Sequence, residues 1–145
     1  MYKRILLAYD GSEAGQKALL DCNEVAQWSQ SELFLIAVMP LPLGFSGVEG
    51  GVYNEELEEA EKEKYQAVLD DGLKRLAQAG HTARGEVLTG DSTDVIVRQA
   101  TTHKADLIVV GHKHLDSWAA RWWRGSVSKA LIERAPCSVL VVITR

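Results

Sequence analysis

Residues 107–145 constrain the fold more tightly than any other stretch, because two buried-strand patterns flank a helix that glycine opens. The first run is Leu107, Ile108, Val109, Val110, Gly111. Gly125-Ser126-Val127-Ser128-Lys129 then starts a helical pattern that ends at Ala135-Pro136, and Ser138, Val139, Leu140, Val141, Val142, Ile143 form a second apolar run. A strand ending in glycine, a loop, and a helix opened by Gly-Ser is how a parallel α/β sheet presents backbone N–H groups to an anion. Phosphate is the anion that suits it.

The rest of the chain alternates in the same way. Arg4 to Tyr9 is a short apolar run, Asp10-Gly11-Ser12 a turn, and a helix follows to about Ser29 with Ala14, Ala18, Cys22, Val25 and Ala26 at helical spacing. Leu33 to Met39 reads as a second buried strand, and Pro40 to Val52, with two prolines and four glycines, as an irregular loop. Glu55 to Gln78 is a long amphipathic helix carrying Leu57, Ala60, Tyr65, Val68, Leu69, Leu73 and Leu76, with Gly80 at its expected C-cap. Thr82 to Leu88 alternates like a strand and ends at Thr89-Gly90-Asp91, after which Asp91 or Ser92 caps a helix containing Val95, Ile96 and Ala100. Five strands separated by helices predict one α/β domain over residues 1–145, a mainly parallel sheet with helices on both faces. Ligands of such sheets sit beyond the carboxyl ends of the strands, where strand order reverses. Asp10, Val38-Met39, Gly90 and Gly111 all fall at strand ends.

Charge is divided unevenly. Residues 1–97 hold 8 Lys and Arg against 17 Asp and Glu, net −9, whereas residues 98–145 hold 8 against 3, net +5, for a total of −4. An acidic whole argues against general nucleic-acid binding, and the local basic excess favours a small anionic ligand. No run approaches the roughly 20 apolar residues of a membrane span, and Met1-Tyr2-Lys3-Arg4 leads into a strand without a signal-peptide pattern, so the expected location is the cytoplasm. Cys22 and Cys137 lie in apolar contexts without Cys-x-x-Cys spacing and read as packing thiols.

Several chemistries are excluded by pattern. The chain has no Gly-x-x-x-x-Gly-Lys-Ser/Thr, and no Gly-x-Gly-x-x-Gly follows its first strand. Gly44-Phe45-Ser46-Gly47-Val48 lacks the second glycine of a nucleophile elbow, so no catalytic nucleophile is assigned. His112 and His114, with Asp116 nearby, offer a metal reading, but loop histidines at this spacing more often contact solvent or phosphate, and no metal is assigned.

The tail from Gly125 to Val142, the start Ile5-Leu6-Leu7-Ala8-Tyr9-Asp10-Gly11-Ser12 and the turn Leu88-Thr89-Gly90-Asp91 together resemble the universal stress protein family over essentially the whole chain. The resemblance implies a five-stranded, adenine-nucleotide-binding α-hydrolase-like fold that usually forms a homodimer. The family's nucleotide-binding branch carries Gly-x-x-Gly, nine residues, then Gly and Ser or Thr; here Gly111 and Gly125-Ser126 match, His114 replaces the second glycine, and ten residues separate it from Gly125. An imidazole there either obstructs a phosphate or replaces one N–H contact to it. By resemblance, Asp10 should face adenine or ribose and Val38 should pair its backbone with the adenine edge, with Ala8, Tyr9 and Met39 beside them as further candidate nucleotide-binding residues. Gly111 and His112 should follow the ribose and α-phosphate, with Gly125, Ser126, Val127 and Ser128 around the remaining phosphates; His114 joins the candidate set as the residue in the second glycine's place, and Arg124, beside Arg121 in the loop, as one within reach of phosphate unless it is simply solvated. The ligand is then ATP or AMP, with Mg2+ as the companion ion of ATP. Bland alternatives stand beside these roles: Asp10 as a turn or capping residue, Ser126 and Ser128 as ordinary helix caps.

Trp118, Trp122 and Trp123 place three of the four tryptophans in one loop, either folded back on the domain or presented to a protein partner or the nucleotide. The terminal apolar run Val139, Leu140, Val141, Val142 and Ile143 is the expected homodimer surface, since an uncovered edge strand of this kind invites pairing with its copy. Three readings of function remain: a nucleotide-binding sensor or regulator, a slow ATP-hydrolysing enzyme, and a nucleotide-free interaction protein. Binding is favoured over catalysis because no base for an attacking water and no phosphate-and-magnesium Lys-Ser/Thr pair stands out.

Overall fold

The computed structural model describes residues 2–11, 13–40, 55–113 and 126–144. Within them the chain runs β1 (Arg4–Ala8), α1 (Glu13–Ser29), β2 (Glu32–Met39), α2 (Glu55–Gln78), β3 (Ala83–Thr89), α3 (Ser92–Thr102), β4 (Leu107–Lys113), α4 (Ser126–Arg134) and β5 (Ser138–Thr144). The sheet order is β3-β2-β1-β4-β5, and every neighbouring pair is parallel. The strand order reverses between β1 and β4, which is where such folds open a crevice.

Side chains alternate across the strands and build two core layers. Ile5 and Leu7 of β1, Tyr9 just past its end, and Leu33, Leu35 and Ala37 of β2 meet Ala18, Leu19, Cys22 and Ala26 of α1 and Leu69 and Leu76 of α2. Leu6, Ile36, Ile108 and Val110 face the other way, against Val95, Ile96 and Ala100 of α3 and Leu131 of α4. Cys22 lies in the first layer, where burial pushes its thiol up to about 12, while Cys137 is half-buried. Neither thiol is set up as a thiolate.

Local signals end the helices. Asp91, rather than Ser92, caps α3: its carboxylate accepts from the Asp94 N–H at 3.1 Å. At the end of α2, the His81 N–H donates to the Leu76 carbonyl at 2.9 Å and the Gly80 N–H to that of Ala77 at 3.0 Å, with Gly80 at φ +88°. That is the Schellman arrangement, which uses glycine's freedom to adopt positive φ.

Two expectations needed correction. β4 does not stop at Gly111 but continues to Lys113, because β5 pairs with it along its full length, from Leu107↔Ser138 to Lys113↔Thr144. Gly111 is therefore a strand residue rather than a terminator. The apolar face of α2 begins later than its sequence suggests: Leu57 is 65% exposed and Ala60 is exposed as well. A helix of 24 residues is about 36 Å long, whereas the eight-residue β2 spans about 26 Å, so its first turns outrun the sheet. The expected loop from Pro40 to Val52 lies, beyond Pro40, outside the described residues. Among the described residues no helix is long and apolar enough to cross a membrane.

Candidate functional site

β1 is the shortest strand among the described residues, and both its neighbours outrun it. Its last register partners are Ile36 on β2 and Val110 on β4, both opposite Ala8. Beyond that rung β2 continues through Ala37, Val38 and Met39, held on its far side by Val87, Leu88 and Thr89 of β3. β4 continues through Gly111, His112 and Lys113, held by Val142, Ile143 and Thr144 of β5. The result is a notch at the point where strand order reverses. Its walls rise about 10 Å above the last β1 rung, and the two wall strands stand about 10 Å apart, two strand spacings. Each wall turns toward the gap the backbone edge that β1 would otherwise pair.

The chain leaves β1 through the floor of this notch. The Tyr9 N–H donates to the Ile36 carbonyl at 2.9 Å, Asp10 is exposed, and Gly11 turns the chain into α1 with φ +81°. Positive φ is why glycine follows Asp10. Asp10 lies close to α1: a Cβ added to Gly15 would stand 2.9 Å from its Oδ1.

The fold thus gathers Asp10, Val38, Met39, Gly111 and His112 at one end of the sheet. Ala8 and Val38 are half-buried and pack on the α3/α4 layer, so the part of Val38 that faces the gap is its backbone. Met39 is buried, and its carbonyl accepts from the Gly90 N–H at 3.0 Å, which ties the β2 wall to the turn after β3. α4 leads into β5, which is parallel to β4, so the first turn of α4, Ser126-Val127-Ser128, lies at the same carboxyl edge. Val127 is half-buried against the α3/α4 layer. A helix N-terminus brings free N–H groups and a partial positive charge to this edge. His114, Arg124 and Gly125 lie outside the described residues, as do Trp118, Trp122 and Trp123.

Tyr9 takes a different place from its neighbours. Its side chain is 3% exposed in the α1/α2 layer, and its hydroxyl donates to Asp71 Oδ2 on α2 at 2.8 Å. Arg75 Nε donates to the same oxygen at 2.9 Å. Burial, reinforced by the hydrogen bond to Asp71, pushes the phenol up to about 12, and the hydrogen bonds from Arg75 and Tyr9 hold the Asp71 carboxyl below its usual range. Only the backbone of Tyr9 belongs to the notch floor. Sequence reading missed Asp71 and Arg75, although the alternation Ile5, Leu7, Tyr9 signals which layer the ring enters.

A separate groove of about 460 Å3, lined by Arg4, Phe34, Arg84, His103 and Lys104 among others, takes in the amino ends of β1 and β2 and the end of α3 and has no part in the notch. Among the described residues no cluster of three or more His, Cys, Asp or Glu side chains is arranged for a metal ion.

A sequence model described as the Universal stress protein family matches residues 1–142. The universal stress protein in the QAH/OAS sulfhydrylase 3′ region of Thermus aquaticus is 34% identical over 145 residues, covering 98% of this chain and 99% of that one. A solved structure of a family member from Burkholderia pseudomallei is similar with a TM-score of 0.76 at 26% identity, over 97% of this chain and 96% of that one. An Arabidopsis thaliana family protein solved with AMP bound has a TM-score of 0.72 at 18% identity, over 99% of this chain and 92% of its own. With the match running nearly from end to end in sequence and in fold, the chain belongs to the universal stress protein family.

Proposed function

We propose that this protein binds an adenine nucleotide, AMP or ATP, in the notch at the carboxyl end of β1, and acts as a cytoplasmic sensor or regulator rather than as an enzyme. The observation that carries this reading is the notch itself: two walls that outrun β1 by three residues each, with Asp10 at the floor. The backbone edge of β2 at Val38 suits the hydrogen-bonding edge of a purine, and the Asp10 carboxylate suits ribose hydroxyls. The first turn of α4 then takes phosphate through its N–H groups and dipole, with Gly125, His114 and Arg124 completing that end and Mg2+ accompanying ATP. The AMP held by the Arabidopsis relative supports the ligand class.

The bound state would pass to a protein partner through a homodimer built on β5. Titration calorimetry with AMP, and with ATP in the presence and absence of magnesium, tests the binding. Saturation by either nucleotide supports the reading. Absence of binding at millimolar concentration sinks it and leaves the nucleotide-free interaction protein. Turnover of radiolabelled ATP by the purified protein would instead establish the slow hydrolase.

A further inference from the structure

The side chain of Tyr9 ties the floor of the notch to α2. On one edge of its ring stands α1: a Cβ added to Gly15 would lie 3.0 Å from Tyr9 Cδ2. On the other edge stands α2, where a Cβ added to Gly72 would lie 2.8 Å from Tyr9 Cδ1. Gly15 is the sole glycine of α1 and Gly72 the sole glycine of α2. A glycine inside a helix is unfavourable relative to alanine, so its placement at both points of contact calls for a reason. Room for this ring is one reason, shared with Asp10 Oδ1 at 2.9 Å from the Gly15 position and Leu35 Cδ2 at 2.7 Å from the Gly72 position.

Contact continues along one stripe of α2. Val68, Asp71, Gly72 and Arg75 recur at the spacing of a single helix face. Val68 Cγ2 lies 3.4 Å from where a Gly11 Cβ would stand, Gly72 borders the ring, and Asp71, itself bonded by Arg75, accepts the phenol hydrogen. Residues 9 to 11, which place Asp10, are thereby held by α2 from behind.

We propose that Tyr9, fixed by Asp71, is a positioning residue for the nucleotide: it sets the turn that carries Asp10 and couples occupancy of the notch to α2. This rests on the adenine-nucleotide reading of the notch. Tyr9→Phe keeps the ring in its slot and removes only the hydroxyl. Asp71→Ala removes the acceptor, and Asp71→Asn keeps a neutral one.

In AMP calorimetry on the folded full-length chain, Tyr9→Phe and Asp71→Ala should each weaken binding about fivefold, the worth of one net hydrogen bond. The double variant should be no worse than either, because both remove one interaction. Asp71→Asn should stay within about twofold of wild type. Saturating AMP should also slow amide hydrogen exchange along residues 65–78 in wild type and not in Tyr9→Phe. Wild-type AMP affinity in Tyr9→Phe, whatever its melting temperature, or an α2 unaffected by AMP in wild type, overturns the coupling and leaves the nucleotide site standing. A wild type that binds neither AMP nor ATP overturns both.

Discussion

Asp10 and Gly15 stand so close that a single methyl group on the helix would meet the carboxylate: the Cβ of an alanine at 15 would lie 2.9 Å from Asp10 Oδ1. The same atom would lie 3.0 Å from the Tyr9 ring, which cannot swing away as a carboxylate can. Alanine gains helix propensity of about 1 kcal/mol over glycine, so the two effects on stability oppose each other. Gly15→Ala should therefore melt within a few degrees of wild type, while the displaced Asp10 weakens AMP binding several-fold. Differential scanning calorimetry and nucleotide titration on the same sample would check this, and unchanged affinity would remove Asp10 from the site.

The phenol of Tyr9 predicts an alkaline transition. Its folded-state pKa is raised to about 12 against the ordinary 10.0, chiefly by burial, so the stability it contributes is complete below pH 10 and is lost as pH rises toward 12. Asp71 behaves in the opposite sense: its lowered pKa contributes stability above the ordinary carboxylate value of 3.8, lost as pH falls through the folded value. Absorbance titration at the tyrosinate band should show a late step near pH 12 that Tyr9→Phe removes. The melting temperature of that variant should fall less steeply than that of wild type above pH 10.

Gly72 offers a packing test independent of any ligand. A Cβ there would stand 2.7 Å from Leu35 Cδ2 and 2.8 Å from the Tyr9 ring, both inside the closed α1/α2 layer. Gly72→Ala should destabilise the domain by about 1–3 kcal/mol, the usual cost of overpacking, in spite of the better helix propensity of alanine. Urea unfolding would measure it. A variant as stable as wild type would mean that α2 slides to accommodate the methyl group, and the clamp on Tyr9 would then be loose.

How much of this was readable beforehand depends on how local each signal is. The bounds of α2 follow from its own periodicity and from Gly80, and four strands announce themselves as apolar runs, β3 being read from alternation instead. The overshoot of β4 past Gly111 was hidden, because glycine after four apolar residues reads as a terminator while the pairing that extends the strand comes from β5, some thirty residues later. Leu57 and Ala60 carry a core-like pattern, yet which turns of a long helix meet the sheet depends on the lengths of strands elsewhere. Asp71 is 62 residues from Tyr9, and no spacing rule joins a strand-end phenol to a carboxylate on a later helix. The notch is legible only as strand ends; its depth comes from comparing three registers.

The two edges of the sheet predict where a second copy would attach. β3, at one edge, exposes Arg84 and Glu86, and charges of this kind discourage edge-to-edge pairing. β5, at the other edge, has β4 as its one strand neighbour among the described residues and carries Val139, Leu140, Val141, Val142 and Ile143 without a charge, with Ile143 55% exposed. Antiparallel pairing of β5 with its copy across a two-fold axis would satisfy the outward backbone groups and cover Ile143 in a self-complementary contact. Ile143→Lys places a charge at that contact while disturbing little inside the protomer, since the side chain is already half in solvent. We expect light scattering to report a dimer for wild type at micromolar concentration and a monomer for Ile143→Lys, with melting of the protomer changed by no more than a few degrees. Arg84→Val, at the opposite edge, should leave the wild-type assembly as it is. A monomeric wild type with and without AMP would exclude β5 as the dimer surface and direct the search for a partner to other faces of the domain.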